Sequence, residues 1–322
     1  MQDNRNKKTK IVIDLRLYQN KGVTNIRTAM YSNRRVLYVL PTGGGKTIMF
    51  CYIAQQATEK GKKVLILVHR DKLFKQTSES LGKFGVRHGL IGSGYAPSYA
   101  HNCQVAKIGT VVNRLDKFIP DLIIVDECHH ATAGQYRKII DAYPNAFVLG
   151  FTATPCRTDG TGLGEVFDIM VEGPQIYELI DMNYLTPARL FAPDTVNMAG
   201  VKMMGGDYNS KQLGEVMEKP KITGSAVGHY RDICSGSAAV VFCVSINHSI
   251  MMRDQFRKEG YRAEVVHGKM KQNDIDAVLR GLGDGSIHVV TSCDLISEGV
   301  DVPKIECAIL QRPTASLSLY LQ

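Results

Sequence analysis

Short apolar runs recur along the chain, and longer segments of mixed polarity lie between them. The first of these runs are residues 35–40 (RVLYVL), 62–69 (KKVLILVH) and 121–125 (DLIIV). Runs this short and this continuously apolar predict strands that are buried on both faces, and the segments between them predict helices. Strands that alternate with helices indicate an α/β protein with a parallel sheet.

The same alternation returns in the last third of the chain. Two further strands are predicted in the first part, at residues 104–111 and 148–155. A second series of apolar runs follows a long interval of glycine and proline turns, and it comprises residues 238–244, 263–267 and 287–291. Because this series also alternates with helical segments, it predicts a second parallel sheet.

The interval between the two series sets the expected domain limits. A length of 322 residues accommodates two domains of ordinary size. The basic N-terminal tail is interpreted as disordered or as an arm that contacts nucleic acid, and both interpretations stay open. Residues 85–101 are expected to be loop-rich. We expect the tail, the first domain, a connecting segment and the second domain to span residues 1–10, 11–170, 171–236 and 237–322.

Composition narrows the class of protein. Hydrophobic residues make up 44% of the chain and charged residues 22%, which is ordinary for a globular protein with a sizeable core. The formal charge of +8 favours a polyanionic partner such as nucleic acid. No apolar run is long enough to cross a membrane, and the eight cysteines form neither a CxxC pair nor a regular framework. The chain is therefore expected in a reducing cytoplasm, without a membrane partner.

A glycine-rich stretch, PTGGGKT at residues 41–47, directly follows the first predicted strand and precedes a predicted helix. Its glycines let backbone N–H groups turn toward a phosphate, and the helix N-terminus adds a partial positive charge. Lys46 then reaches the β- and γ-phosphates of ATP, and the Thr47 hydroxyl holds Mg²⁺. A turn that binds nothing is the alternative, but it leaves the Lys-Thr pair unexplained. The predicted phosphate site comprises Thr42, Gly43, Gly44, Gly45, Lys46 and Thr47.

Two acidic residues close the run at 121–125. Asp126 and Glu127 follow it directly, and a Cys-His-His sequence comes next. Downstream of a phosphate cradle, the first acid suits the Mg²⁺ shell, and the second suits positioning and deprotonation of the attacking water. The Cys-His-His sequence raises the alternative of zinc, but no second ligand pair lies at zinc-finger spacing. Nucleotide hydrolysis is therefore favoured at this position.

Polar residues near other predicted strands are further candidates. Arg70 follows His69 at the end of the second run, where it contacts a nucleic-acid phosphate or solvates the strand end, and both hypotheses stay open. Gly109 and Thr110 offer a backbone N–H and a hydroxyl to a phosphate. Gln19 either pairs with an adenine edge, because its amide both donates and accepts, or is an ordinary surface residue.

In this order, the motifs resemble the first half of a superfamily 2 helicase. They are Gln19, PTGGGKT, His69-Arg70, Gly109-Thr110, the DECH sequence at 126–129 and the TAT sequence at 152–154. The variants are similar to those of DEAD/DEAH-box proteins, and in particular to the RadD-like and phage-type branch directed to DNA. The resemblance implies a P-loop NTPase with two RecA-like parallel-sheet domains, ATP between them and a nucleic-acid strand across both.

The resemblance also assigns roles to individual residues, with Asp126 on Mg²⁺ and Glu127 as the general base. Arg16 would help to shape the adenine pocket around Gln19. Nucleotide state would be relayed to the other domain by the two threonines of the TAT sequence, Thr152 and Thr154. Nucleic acid would contact His69, Arg70, Gly109, Thr110 and Thr291.

The second half of the chain carries a matching motif and one departure. Residues 298–303 (EGVDVP) resemble the fifth motif of the family, in which Gly299 and Asp301 would help to close the nucleotide site. Cys293 stands where many DEAD-box proteins place a phosphate-binding threonine, so that Thr291 or Ser292 is expected to be the substitute.

The sixth motif of the family begins at the last residue of this chain, Gln322. That motif supplies arginine fingers, which contribute roughly 10³–10⁵ in rate in related nucleotide hydrolases. We therefore expect the second domain to be incomplete at its C-terminus. We also expect the chain to bind ATP–Mg²⁺ and to hydrolyse it slowly.

Three functions share these motifs. The first is an ATP-dependent helicase, and the second is a double-strand DNA translocase of the restriction or remodelling type. The third is an ATP-gated nucleic-acid clamp with little turnover. DNA is favoured over RNA on the resemblance alone, and the motifs identify no protein partner.

Overall fold

Two compact units make up the protein, the first ending at Arg189 and the second beginning at Leu190. The computed structural model describes residues 14–130, 134–155, 162–192, 197–204, 207–293, 295 and 302–315. Each unit contains its own parallel sheet. Within the described ranges, every helix is too short or too polar to cross a membrane.

The sheet of the first unit has seven parallel strands, in the order β3-β4-β2-β5-β6-β1-β7. The strands are β1 (Arg35–Val39), β2 (Val64–Val68), β3 (His88–Ile91), β4 (Cys103–Lys107), β5 (Leu122–Val125), β6 (Phe147–Thr152) and β7 (Ile169–Glu172). Both β2 and β5 are buried along their whole length, as expected for continuous apolar runs inside a parallel sheet.

Helices cover both faces of this sheet. They are α1 (Leu17–Met30), α2 (Lys46–Glu59), α3 (Asp71–Lys83), α4 (Ile108–Val111), α5 (Gly134–Asp141) and α6 (Ile176–Asp181). Successive side chains of β2 enter opposite cores. Ile66 packs in the core that contains residues of α1, α2 and α3, whereas Leu65 and Leu67 pack in the core that contains residues of α4 and α5. The two-residue period of the strand therefore builds one helical layer on each side.

A four-stranded parallel sheet, ordered β11-β12-β10-β13, forms the centre of the second unit. The strands of this unit are β8 (Met203–Met204), β9 (Asp207–Tyr208), β10 (Ala239–Cys243), β11 (Ala263–His267), β12 (Val289–Cys293) and β13 (Cys307–Gln311), and β8 pairs antiparallel with β9. The helices are α7 (Ser210–Met217), α8 (Pro220–Cys234), α9 (Ile246–Lys258) and α10 (Gln272–Asp284). Val241 packs in a core with α8 and α9, and Val240 packs in a core with α10.

The predicted α/β architecture with two parallel sheets is confirmed, and the strand predicted at residues 104–111 was too long. The run at residues 104–111 leaves the sheet after β4 and continues as α4. Ile108 and Val111 are both buried, three residues apart, which places them on one face of a helical turn. Gly109 and Thr110 therefore lie on a short helix and not at a strand end.

The segments that were expected to be loops are more structured than predicted. Residues 85–101 contain β3, a strand of only four residues. The expected connecting segment at 171–236 contains α6 in the first unit and β8, β9, α7 and α8 in the second. The first unit therefore includes a strand and a helix beyond its last predicted motif.

Candidate functional site

Four motifs of the first unit meet at one edge of its sheet. The strands β2, β5, β6 and β1 are consecutive neighbours and run in the same direction. Their carboxyl ends carry His69 after β2, Asp126 after β5, Thr152 in β6 and the glycine-rich loop after β1. Ligands of open α/β sheets bind at this end of the strands. The strand order thus brings together motifs that are far apart in the sequence.

The glycine-rich loop has a backbone that suits glycine only. Gly43 and Gly45 have φ angles of 80° and 85°, in the left-handed region. A Cβ at Gly44 would lie 2.7 Å from the Leu40 side chain, and a Cβ at Gly45 would collide with the amide of Gln19. The helix α2 begins directly after the loop, and the unpaired N–H groups of its first turn are available to a phosphate.

Lys46 and the acidic pair converge at this edge. The Lys46 Nζ lies 3.8 Å from Glu127 Oε1 and donates to the Leu40 carbonyl at 3.3 Å. The backbone N–H of Glu127 donates to Asp126 Oδ1 at 3.1 Å. Lys46 is only 8% exposed and Asp126 only 4% exposed. The three predicted catalytic residues therefore form one cluster within the first unit, in which Lys46 and Asp126 are buried and Glu127 is half-buried.

Burial governs the electrostatics of this cluster. Desolvation, followed by the negative charge of Glu127, raises the pKa of the Asp126 carboxyl, and the charge of Lys46 opposes this shift. Glu127 has a φ of 48°, a strained value for a residue with a side chain and one that is typical of functional sites. A carboxyl pair with one buried member, which one lysine only partly neutralises, is suited to a bound cation.

The residues around the cluster fit ATP with Mg²⁺. Thr47 is the second residue of α2, and Thr42 is exposed at the start of the loop. The Thr47 hydroxyl and the Asp126 carboxylate supply the oxygen ligands that Mg²⁺ prefers, and substrate phosphates normally complete its shell. The loop glycines, at which an added Cβ would collide with neighbours, let the backbone approach those phosphates closely.

A chain of polar contacts runs from Glu127 to the end of β6, and its members after Glu127 are buried. His129 Nδ1 lies 3.4 Å from Glu127 Oε2 and 3.2 Å from Thr152 Oγ1. The Thr152 hydroxyl donates to the Thr154 carbonyl at 2.8 Å and accepts from the Thr154 N–H at 3.1 Å. Because the hydroxyl proton of Thr152 is engaged with Thr154, His129 is the donor from Nδ1. This chain connects Glu127 with the Thr-Ala-Thr motif.

The sequence assigned His129 no individual role apart from the zinc alternative, although this residue ends the DECH motif. It is 3% exposed, and its Nδ1 contacts link two of the predicted motifs. Its position two residues after Glu127, at the end of a buried strand, was the available signal. The partner on β6 was not predictable from the sequence, because the pairing of β5 with β6 creates that contact.

Gln19 lies against the glycine-rich loop. Its Nε2 donates to the Gly44 carbonyl at 3.3 Å, and its Oε1 accepts from the Arg16 N–H at 3.0 Å. A glutamine amide has two donor and two acceptor positions, so one of each remains for a base. Tyr18, which the sequence analysis did not single out, donates from Oη to the same Gly44 carbonyl at 2.7 Å. Both side chains therefore support the loop from α1.

The residues predicted to contact nucleic acid in the first unit lie at or near the surface. His69 and Arg70 are half-buried at the end of β2, and Arg70 Nε donates to His69 Nε2 at 3.1 Å. On α4, Gly109 is exposed and Thr110 is half-buried. All four residues follow strands of the first sheet, and the β2 and β4 that precede them are neighbours.

The second unit presents its predicted residues differently. Thr291 is fully buried in β12, and its hydroxyl donates at 2.8 Å to a backbone carbonyl of α9. This geometry ties the strand to the helix and gives no support to a contact between Thr291 and nucleic acid. Gly299 and Asp301 lie outside the described residues.

Comparison with known proteins matches both halves of the chain. Residues 12–157 match the family model of the type III restriction enzyme, res subunit, and residues 225–322 match that of the helicase conserved C-terminal domain. A 51.5 kDa protein of a Lactococcus phage (isolate 7-9) is 34% identical over 283 residues, which are 88% of this chain and 60% of the relative. IRC3 of Saccharomyces cerevisiae is 29% identical over 338 aligned positions, which cover 96% of this chain and 48% of IRC3. The chain thus spans about half the length of these relatives.

A solved structure shares the fold. It is Saccharomyces cerevisiae Dbp5 L327V bound to RNA and ADP BeF3, with a TM-score of 0.56 at 14% identity. The match covers 95% of this chain and 83% of that structure. At this level of identity the likeness concerns the tandem RecA-like architecture alone.

Proposed function

Because the chain belongs to superfamily 2 of the helicases, we propose that it is a nucleic-acid motor that couples ATP hydrolysis to strand separation or translocation. DNA is the favoured substrate. The observation that carries the proposal is the convergence of Lys46, Asp126 and Glu127 beside a glycine-rich phosphate cradle. A structural turn would not need a buried lysine and two carboxylates at its side, because buried charges cost stability.

The proposed reaction transfers the γ-phosphoryl group of ATP to water. Lys46 would neutralise charge on the β- and γ-phosphates, and Glu127 would orient the attacking water and accept its proton. The Thr47 hydroxyl and the Asp126 carboxylate would hold Mg²⁺, which supplies positive charge to the phosphate oxygens. His129, at 3.4 Å from Glu127 Oε2, would fix the orientation of the general base.

The hydrogen-bond chain beyond Glu127 supports coupling between hydrolysis and movement. His129 Nδ1 lies close to both Glu127 and Thr152. A change in the hydrogen bonds of Glu127 would therefore also change the contact between His129 and Thr152. Thr152 in turn holds both the carbonyl and the N–H of Thr154. Nucleotide state would therefore reach the exit of β6, which is the relay role proposed for the two threonines.

Nucleic acid would bind chiefly through its phosphates. The charge of +8 favours a polyanion, and contacts to phosphates tolerate many sequences and weaken as salt is raised. Arg70, Gly109 and Thr110 are the proposed contacts in the first unit, with His69 supporting Arg70. The match of residues 12–157 to a restriction enzyme subunit favours DNA, since restriction is a reaction of DNA.

Steady-state hydrolysis of ATP with and without DNA tests the proposal. We expect DNA to stimulate turnover and Lys46→Ala to abolish it, while Lys60→Ala, an exposed lysine just after the same helix, leaves it unchanged. A chain that binds no ATP in a calorimetric titration, or whose turnover ignores both DNA and RNA, would contradict the proposal. If RNA alone stimulates turnover, the proposal of a nucleic-acid motor holds, but its substrate is RNA and not DNA.

Double-strand translocation is the second candidate, and the restriction family match favours it. Displacement of a strand from a forked duplex indicates a helicase. Displacement of a third strand from a triplex, without duplex separation, indicates a translocase. A clamp is indicated if nucleotide binding changes the affinity for DNA, while neither assay shows displacement and ATP is not hydrolysed.

A further inference from the structure

The turn after α6 places two apolar residues against the nucleotide-binding elements of the first unit. Asn183 ends the helix with a φ of 59°, and asparagine accepts this left-handed conformation more readily than most residues. The N–H groups of Tyr184 and Leu185 then both donate to the Leu179 carbonyl, at 2.8 and 3.1 Å. The positions of Tyr184 and Leu185 are therefore fixed by the backbone of the turn.

Tyr184 packs on the start of α1. Its ring centroid lies 4.4 Å from the guanidinium carbon of Arg16 and 5.1 Å from the ring centroid of Tyr18. Arg16 Nη1 also donates to Tyr18 Oη at 3.3 Å. Because Tyr18 bonds to the Gly44 carbonyl, the cluster joins the turn to the phosphate loop.

Leu185 contacts the same loop directly. A Cβ added at Gly43 would lie 2.8 Å from Leu185 Cδ2, so the leucine already fills the space beside this glycine. Neither Tyr184 nor Leu185 belongs to a motif that the sequence analysis singled out. Both were expected to lie in a segment between the domains, and both pack against the core of the first unit instead.

The arrangement leaves one face of Arg16 open. Arg16 as a whole is exposed, and its planar guanidinium has the Tyr184 ring on one side, with the guanidinium carbon 4.4 Å from the ring centroid. Gln19 lies one helical turn from Arg16 and retains a donor and an acceptor. A flat cationic face beside such an amide matches a purine base, which stacks through its plane and forms hydrogen bonds along its edge.

We propose that Tyr184 is a positioning residue for the base of a purine nucleoside triphosphate. It holds the guanidinium of Arg16 flat, so that the outer face stacks on the base while Gln19 bonds its edge. Leu185 fixes the same turn to the phosphate loop, and base and phosphate recognition thereby share one support. The inference rests on the proposed function, since it requires a nucleotide in the cradle.

Calorimetric titration of the full chain with ATP, CTP and inorganic tripolyphosphate tests this role. Tyr184→Ala should weaken ATP binding about tenfold, the scale of one cation–π stack, and reduce the preference for ATP over CTP. Tripolyphosphate, which has no base, should bind as before. Tyr184→Phe should behave as the unaltered chain. Tyr177→Ala, at a tyrosine of α6 that is 65% exposed, is the matched control and should change nothing.

The dependence on Arg16 supplies a second measurement. In an Arg16→Ala background, Tyr184→Ala should weaken ATP binding no further, because the positioned group is already absent. If Tyr184→Ala does not fold, Tyr184→Leu keeps an apolar side chain without the aromatic face and serves in its place.

Two results would overturn the inference while leaving the proposed function intact. One is unchanged ATP affinity in Tyr184→Ala, and the other is an equal loss for ATP and tripolyphosphate, which would indicate general support of the fold. An unaltered chain that binds neither ligand would instead remove the proposed function, and the inference with it.

Discussion

The two units of this protein bury different polar groups around their parallel sheets. In the first unit the buried polar residues include the charged Lys46 and Asp126. In the described part of the second unit they are His248, Ser249, Thr291 and Ser292, none of which carries a formal charge at neutral pH. Both sheets have the same parallel βα architecture, so the difference does not arise from the fold.

Charge that is buried without a ligand destabilises a folded protein, and natural sequences retain it where chemistry requires it. The first unit keeps Lys46, Asp126 and Glu127 close together, and these are the groups proposed to hydrolyse ATP. The hydroxyls and the imidazole in the second unit serve packing, as Thr291 does by bonding to α9. Substitutions at strand ends should therefore impair turnover in the first unit and stability in the second.

The largest effect is expected at Glu127, the proposed general base. Glu127→Gln keeps the size of the side chain but removes its ability to accept a proton, so turnover should fall about 10²- to 10⁴-fold while ATP still binds. Phosphate release under saturating ATP measures the loss, and calorimetry checks the binding. Glu79→Gln, an exposed glutamate on α3, is the control. Turnover within threefold of the unaltered chain would remove Glu127 from the mechanism.

Acid should lower the stability of the second unit, because this unit buries a neutral histidine. His248 is fully buried, and desolvation lowers its pKa from the ordinary 6.5 to about 4. Between these values the unfolded chain binds a proton that the folded chain does not, so stability is complete above pH 6.5 and falls as the pH drops toward 4. We expect the free energy of unfolding to decrease by about 2 kcal/mol from pH 7 to pH 5 through this residue.

Urea unfolding at each pH measures this contribution as the difference between the unaltered chain and His248→Asn. The substituted chain should lose less stability in acid, whereas His229→Asn, at an exposed histidine of α8, should keep the full loss. Equal pH dependence in all three chains would mean that the second unit tolerates a buried positive charge, and the contrast between the two sheets would fail.

The phosphate loop should respond to a single methyl group. Gly45→Ala places a Cβ against the Gln19 amide at a φ of 85°, so ATP affinity should fall at least about tenfold. Gly61→Ala has a similar φ of 76° but open space around the new methyl. Both substitutions should destabilise the chain by about 1 kcal/mol, and only the first should weaken ATP binding. Equal ATP affinity in both variants would mean that the loop does not bind the nucleotide.

The sequence predicted the strand-end motifs because their signals are local. Each one follows a continuous apolar run directly, as PTGGGKT follows residues 35–40 and Asp126 follows residues 121–125. The contacts that organise the site are not local in this sense. His129 finds Thr152 through the pairing of β5 with β6, and Tyr184 reaches Arg16 only when the chain has passed through the whole first sheet.

Elements with weak patterns were missed for related reasons. The helix α8 spans residues 220–234 and contains two glycines, which lower helix propensity and suggest turns. The strand β13 at residues 307–311 contains an apolar run of only four residues, 307–310, and alternates half-buried and exposed positions at the edge of the described sheet. Contacts with the rest of the folded unit, and not the local sequence pattern, determine that α8 is a helix and β13 a strand.

The smallest expected effect tests whether the first unit transmits the nucleotide state as well as hydrolysing ATP. Thr152→Val keeps the shape of the side chain but removes the acceptor of His129 Nδ1 and the donor to Thr154. Basal turnover should stay within about threefold, stimulation by DNA should fall about three- to fivefold, and stability should drop by about 1 kcal/mol. Thr77→Val, at an equally buried threonine on α3, controls for loss of a buried hydroxyl and should leave stimulation intact. If both variants lose stimulation equally, the hydrogen-bond chain does not carry the coupling, and the charged cluster would act without it.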